Sequence, residues 1–133
     1  MTSTQIFPRL VVGDASDAIE FYIAALGARE QARFTEPSGV IVHAELVVGD
    51  SVFSLTEADG SLNVSPQELG GSPLLLTVVV ADADETGRAM EAAGAEVVIP
   101  IDDRYYGRRE GRLRDPFGHL WIVSQSLEGV AGP

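Results

Sequence analysis

The chain contains no cysteine. Disulfides, thiolate nucleophiles and Cys-ligated zinc or iron–sulfur centres are therefore excluded. No apolar run approaches the roughly 18–20 residues that a membrane helix needs. The opening Met1-Thr2-Ser3-Thr4 lacks the charged region and apolar stretch of a signal peptide, so the expected compartment is the cytoplasm. Basic residues are scarce, nine against 20 acidic ones, for a formal net charge of −11. Phosphate repulsion makes such a chain a poor nucleic-acid binder. Its overall field would draw cationic ligands or serve solubility alone. There is no Gly-x-Ser-x-Gly elbow, phosphate-binding loop or two-histidine helix motif. With only His43 and His119 present, a Ser-His-acid triad has little to work with.

What is present is 133 residues, 45% hydrophobic and 22% charged, ordinary for one folded domain with its own core. Residues 7–12 read as a strand and 14–26 as a helix. Asp14 or Ser16 can cap that helix; Ala18, Ile19, Tyr22, Ile23 and Leu26 fall at helical spacing, and Gly27 is its left-handed stop. A strand over 30–35, a turn over 36–39 and a hairpin of 40–48 with 51–57 about Gly49-Asp50 complete the first half. The polar stretch 58–72 reads as a linker. The second half gives a strand over 74–80, a helix over 82–93 stopped by Gly94, a strand over 96–100 and a loop over 101–111. A short strand 112–114, the turn Asp115-Pro116-Phe117-Gly118, a last strand 119–125 and a fraying tail 126–133 follow.

These halves are an internal repeat. Val11-Val12-Gly13-Asp14-Ala15 matches Val79-Val80-Ala81-Asp82-Ala83, and Leu26-Gly27-Ala28 matches Ala93-Gly94-Ala95. The expected organisation is a single domain over 1–133, with one module over about 5–57 and the other over about 73–125.

Val12-Gly13-Asp14, Ala18-Ile19-Glu20-Phe21-Tyr22 and Leu26-Gly27-Ala28 resemble the opening of glyoxalase/bleomycin-resistance (vicinal oxygen chelate) proteins. Asp115-Pro116-Phe117-Gly118-His119-Leu120-Trp121 resembles their closing hairpin. His43-Ala44-Glu45-Leu46, Gly49-Asp50-Ser51 and Tyr106-Gly107-Arg108-Arg109 are similar to the PhnB-like branch. The resemblance implies an α+β fold in which two βαβββ modules form a curved mixed sheet with a concave cup and helices on the convex side. It also implies a homodimer, since cups are often completed by modules of two chains.

Metal-dependent members place four His or Glu ligands in the cup. Carried over by motif, those positions are Phe7, Ser54, Leu75 and Ile122. Phe, Leu and Ile offer no donor atom and a Ser hydroxyl is a weak one, so neither a metal nor any other cofactor is expected. This argues against the usual lyase, epimerase and extradiol dioxygenase chemistry.

Strand alternation sorts the faces. If Phe7 faces the cup, so does Arg9; Leu75 brings Thr77, and Ile122 brings Leu120, while Trp121 turns to the helices. A two-residue Gly49-Asp50 turn pairs Glu45 with Ser54 and His43 with Thr56, so His43 and Glu45 look into the cup. Three readings stand for that pair: ligand recognition or acid/base work, a remnant of a displaced metal site, and a polar pair satisfied on a half-wet face. Tyr105, Tyr106 and Arg108 lie in the expected loop, where tyrosine can stack on a planar ligand and arginine can hold a carboxylate or phosphate. The arginines there can equally be a solvated balance to an acidic surface. His119 is expected to be structural.

The cup thus reads as a pocket for a mostly hydrophobic or aromatic molecule. Metal-free acidic members of the family include drug-sequestering resistance proteins. The resemblance therefore points to a small-molecule binder giving antibiotic resistance by sequestration, with no nucleic acid or membrane partner. The alternatives are an enzyme of the same fold, with His43 and Glu45 as acid/base groups or an unusual metal site, and a domain serving only dimerisation.

Overall fold

Two aspartates start the two long helices in the same way. In the computed structural model, which describes residues 3–127, the Asp14 side chain caps α1 (Ala15–Leu26) by accepting from the Asp17 amide. The Asp82 side chain caps α3 (Ala83–Ala92) by accepting from the Glu85 amide. Each first turn gains a second acceptor from its module's last strand. Ala15 N–H donates to Glu57 Oε2 at 3.0 Å, and Ala83 N–H donates to Gln125 Oε1 at 2.9 Å. Such amides have no partner within a helix, so these contacts anchor each helix to its sheet. Gly27 ends α1 at φ 67°.

The strands β1 (Arg9–Val12), β2 (Arg29–Thr35), β3 (Ile41–Val48) and β4 (Ser51–Glu57) form a sheet in the order β1-β4-β3-β2. The strands β5 (Leu75–Val79), β6 (Glu96–Asp103), β7 (Arg108–Arg114) and β8 (Leu120–Ser126) form a second, in the order β5-β8-β7-β6. The first strand of each module runs parallel to its last, and the other pairs are antiparallel. The fold is α+β and built from two βαβββ modules. No helix among the described residues is long and apolar enough to cross a membrane.

The structure departs from the sequence reading in three places. Residues 101–111, expected as a loop, are mostly strand, because β6 continues to Asp103 and β7 begins at Arg108. A bulge between Ile99 and Asp102 absorbs the interruption at Pro100. Gly111 makes this possible: a Cβ there would stand 2.5 Å from Ile99 O and 2.7 Å from Ile101 N. Phe7 precedes β1, which starts only after Pro8, a residue with no N–H for the ladder. The linker carries a short helix, α2 (Pro66–Leu69), closed by a Ser65–Glu68 capping box. Of the tail expected to fray, residue 126 closes β8, and 128–133 lie outside the described residues.

Both sheets turn their helix-side residues into one core. Leu10, Leu46, Phe53 and Leu55 from the first and Leu113, Trp121 and Val123 from the second pack around Tyr22. Ring centroids lie 5.3 Å apart for Tyr22 and Phe53, 5.6 Å for Tyr22 and Trp121, and 5.8 Å for Phe53 and Trp121. In one continuous sheet joined β1 to β5, strands β4 and β8 would be three strand spacings, about 14 Å, apart. The 5.8 Å contact therefore means that the two sheets meet through their helix-facing sides. Their other faces look outward, away from the core.

A carboxylate sits inside that core. Asp115 is buried and accepts four hydrogen bonds. Tyr22 OH and Trp121 Nε1–H (2.9 Å) donate to Oδ2, and the amides of Phe117 (2.9 Å) and His119 (3.0 Å) donate to Oδ1. His119 is buried too, and its Nε2–H donates to Val11 O at 2.9 Å, tying the second module to β1.

Removing the Tyr22 hydroxyl leaves Asp115 one donor short in a dry site. Tyr22→Phe is expected to cost about 1–3 kcal/mol, read from urea unfolding at neutral pH. Burial, and next the Asp115 charge, push the Tyr22 hydroxyl well above its ordinary 10.0. The unfolded chain therefore releases that proton first, and wild-type stability should fall as pH rises past 10. Tyr22→Phe should flatten that alkaline slope; an unchanged slope would show the hydroxyl is not held this way. At the bulge, Gly111→Ala should cost about 1–3 kcal/mol in the same assay through overpacking against backbone.

Candidate functional site

The outer face of the first sheet gathers four of the residues expected to line a cup. Strand pairing sets Arg9 and Glu45 on either side of Ser54. Arg9 Nε donates to Ser54 Oγ at 3.3 Å. His43 Nε2 lies 2.9 Å from Glu45 Oε2, and Gln31 Nε2 donates to Glu45 Oε1 at 2.9 Å. The hydrogen bond from His43, followed by that from Gln31, holds the Glu45 carboxyl below its ordinary range. The Phe34 ring lies 5.8 Å from the His43 ring and makes an exposed apolar wall. The arrangement is an ordered carboxylate–imidazole pair open to solvent. It can hold a polar ligand group or pass a proton. Gln31 and Phe34 were not legible as members. The signal is the β2–β3 register, which pairs Phe34 with His43, but irregularities after Glu30 and after Phe34 break simple alternation there.

The outer face of the second sheet holds Leu75 and Thr77 from β5, Leu120 and Ile122 from β8, and Arg108 from β7. Because β7 is a full strand, Arg108 and Glu110, expected in a loop, share a face with Arg112 of the expected short strand. Arg108 Nε donates to Ser124 Oγ at 2.8 Å, and Ser124 Oγ donates to Glu110 Oε2 at 2.6 Å. Tyr106 OH donates to the other Glu110 oxygen. Burial pushes the Glu110 carboxyl up, but these two hydrogen bonds and the charges of Arg108 and Arg104 outweigh it and leave it below its ordinary range. Tyr105 is fully exposed and meets Tyr106 edge to face, with centroids 5.1 Å apart.

Nine of the twelve sequence-derived residues are thus divided between two sheet faces rather than joined in one cavity of one chain, while Phe7 precedes β1 and Tyr105 and Tyr106 lie between β6 and β7. A groove of about 1120 Å³ lies between the modules, walled by Phe53, Val78, Trp121 and the end of α1. Of the twelve expected cup residues, only Phe7 and Thr77 line it.

The donor set does not fit a divalent metal. Phe7, Ser54, Leu75 and Ile122 offer one hydroxyl among them, and Arg9 already engages it. Among the described residues, no three His, Cys, Asp or Glu groups come together to hold an ion.

A family model described as the Glyoxalase/Bleomycin resistance protein/Dioxygenase superfamily matches residues 4–123. The chain belongs to this superfamily. It is 36% identical over 127 residues to the Mycobacterium bovis protein Mb0911c, covering 92% of this chain and 84% of that one. Among solved structures, TioX from Micromonospora sp. ML1 superposes with a TM-score of 0.72 at 28% identity, over 94% of this chain and all of TioX (100%). The fosfomycin resistance protein FosX from Listeria monocytogenes, solved with Mn(II) and sulfate, gives 0.72 at 19% identity over 96% of this chain and 94% of that one. That last likeness shows the shared fold alone. This superfamily member keeps the architecture, and the four positions carried over by motif do not supply a donor set for such an ion.

Metal analysis checks the point directly. After dialysis against Zn²⁺, Ni²⁺, Mn²⁺ or Fe²⁺ and then metal-free buffer, elemental mass spectrometry should find well under one ion per chain. Stoichiometric retention would mean that the carried-over positions are misplaced.

Proposed function

We propose that this protein is a non-catalytic, metal-free small-molecule binder of the glyoxalase/bleomycin-resistance type. In this reading it is cytoplasmic and homodimeric, and it sequesters a hydrophobic or aromatic drug. The observation that carries the reading is a pair of open sheet faces, part apolar and part polar, whose donors do not suit a metal. Binding sites of this kind join apolar walls to a few fixed polar groups. Phe34, Leu75, Leu120 and Ile122 would supply the walls. Arg9, His43, Glu45, Ser54, Thr77 and Arg108 would supply the polar points, with Phe7, Tyr105 and Tyr106 at the rim.

Within one chain each face lacks an opposing wall. A second copy would provide it: the first sheet of one chain closes on the second sheet of the other, and two-fold symmetry makes two cups. In support, β1 and β5 are both edge strands, and Leu75 and Val79 stand exposed along β5. The resistance role rests on the superfamily to which the chain belongs.

One observation favours a second reading, that of an enzyme. The His43–Glu45 pair is already hydrogen-bonded and reachable by solvent, as a general base and its orienting carboxylate would be.

Equilibrium dialysis against a panel of aromatic antibiotics separates the two. A sequestering protein should retain a drug and release it chemically unchanged on denaturation, and His43→Ala should shift affinity several-fold with no product at any time. A product whose formation His43→Ala slows would replace sequestration with the enzymatic reading.

A further inference from the structure

We infer that the outer face of the second sheet contains an anion subsite, in which Arg112, with Arg108 behind it, receives the carboxylate, sulfonate or phosphate of an organic ligand. This rests on the small-molecule-binding reading and narrows its ligand to an apolar or aromatic body bearing a negative group.

The case starts from the charges on β7. Arg108, Glu110 and Arg112 alternate along its outer face, opposite Ser126, Ser124 and Ile122 of β8. Alternate residues on a strand stand about 7 Å apart, so Glu110 lies between the two guanidinium stems. Both Glu110 oxygens are committed, one to Ser124 and the other to Tyr106. Arg108 is only 7% exposed. Its Nε reaches Ser124, but its Nη1 and Nη2 are cut off from water and have no hydrogen-bond partner. Arg112 Nε is likewise shielded and unpartnered, and no described residue forms a hydrogen bond or ion pair with this side chain.

Arg108 and Arg112 therefore stand on either side of one carboxylate in the register, on a chain whose net charge is −11. Acids are not in short supply elsewhere: Arg33 pairs with Glu30, Arg109 with Asp84 and Asp103, and Arg114 with Glu96. Shielded guanidinium nitrogens without hydrogen-bond partners are costly, and a bidentate oxyanion is the partner guanidinium geometry suits best. The setting also fits an organic anion. Ile122 on β8 and Ile99 on β6 flank Arg112 directly in the sheet register, and Ile99 is exposed.

The repeat adds a control. Glu45 pairs with Ser54 as Arg112 pairs with Ile122, while Arg9 pairs with Ser54 as Thr77 pairs with Ile122. Arg112 and Glu45 are therefore equivalent positions in the two modules. The fold tolerates a carboxylate there, so it does not demand the arginine. The same equivalence names the rival claimant, Glu45 of a second copy closing over the face.

The test uses two fluorescent probes with one ring skeleton, anilinonaphthalene sulfonate and its uncharged parent N-phenylnaphthylamine. Wild type and Arg112→Gln are titrated with each, and sedimentation reports their oligomeric state. The sulfonate should bind wild type more tightly than the parent and be displaced by inorganic phosphate. Arg112→Gln should weaken the sulfonate by about tenfold and leave the parent within about twofold. Arg112→Lys, which keeps the charge but loses the fork, should fall between them.

If the parent binds but the sulfonate gains nothing, or Arg112→Gln weakens both equally, the anion subsite is wrong and the binding reading stands. If neither probe binds wild type, the binding reading falls with it. If Arg112→Gln dissociates the oligomer and leaves the probe preference intact, Arg112 is a subunit contact and the subsite is overturned.

Discussion

The Asp115 carboxylate is the contact on which the rest of the molecule depends. A charge taken out of water is tolerable only when hydrogen-bond donors replace the water. Its four donors do so, and they do not all come from its own module: Tyr22 belongs to α1, while Phe117, His119 and Trp121 surround the turn into β8. Satisfying the carboxylate therefore requires the first module's helix to lie against the second module's sheet. That demand brings Phe53 and Trp121 together and stacks the sheets through their helix-facing sides. It also leaves the outer faces of both sheets free of the core. Gly118, at φ 93°, closes the turn that presents Asp115, and a Cβ there would stand 2.9 Å from Pro66 Cβ of α2.

Much of this was legible in residues. Period-two alternation turned Trp121 inward, and the two-residue Gly49-Asp50 turn set the register that puts Glu45 beside Ser54. Asp14, one of two candidate caps with Ser16, proved to cap the first helix, and Asp82, matched to it by the repeat, caps the second. These are local rules, and they succeeded where local geometry decides. The reading failed where a distant contact decides. The strand was expected to end at Pro100, yet Gly111 on the neighbouring strand makes room for a bulge that carries β6 to Asp103. With the first half of β7 hidden inside an expected loop, Glu110 had no face to belong to, and Arg112, at the start of the expected short strand, was not assigned to the cup. The groove between the modules was out of reach too, because it arises from how two sheets stack rather than from any pattern along the chain.

The repeat also separates what packing constrains from what it leaves open. On the inner faces, equivalent positions keep their character: Phe53 answers to Trp121, Leu55 to Val123 and Leu46 to Leu113. All of these are buried in one core, where a change of volume or polarity is felt at once. On the outer faces the same registers carry opposites, Glu45 against Arg112 and Ser54 against Ile122. Nothing in the chain's own core requires that asymmetry, and the proposed binding role gives it a reason.

Closing the two faces on each other sharpens that conclusion. Water would leave the His43–Glu45 pair on one wall and Arg112 on the other, and each charge would lose solvation that the chain alone does not replace. Glu45 already holds two donors, His43 and Gln31, and can bear the loss. Arg112 holds none among the described residues and cannot. In the proposed cup Arg112 is then a positive point on an otherwise acidic protein, open to a ligand wherever Glu45 of the second copy does not cover it. Its natural complement is a molecule with one anionic end and an apolar body.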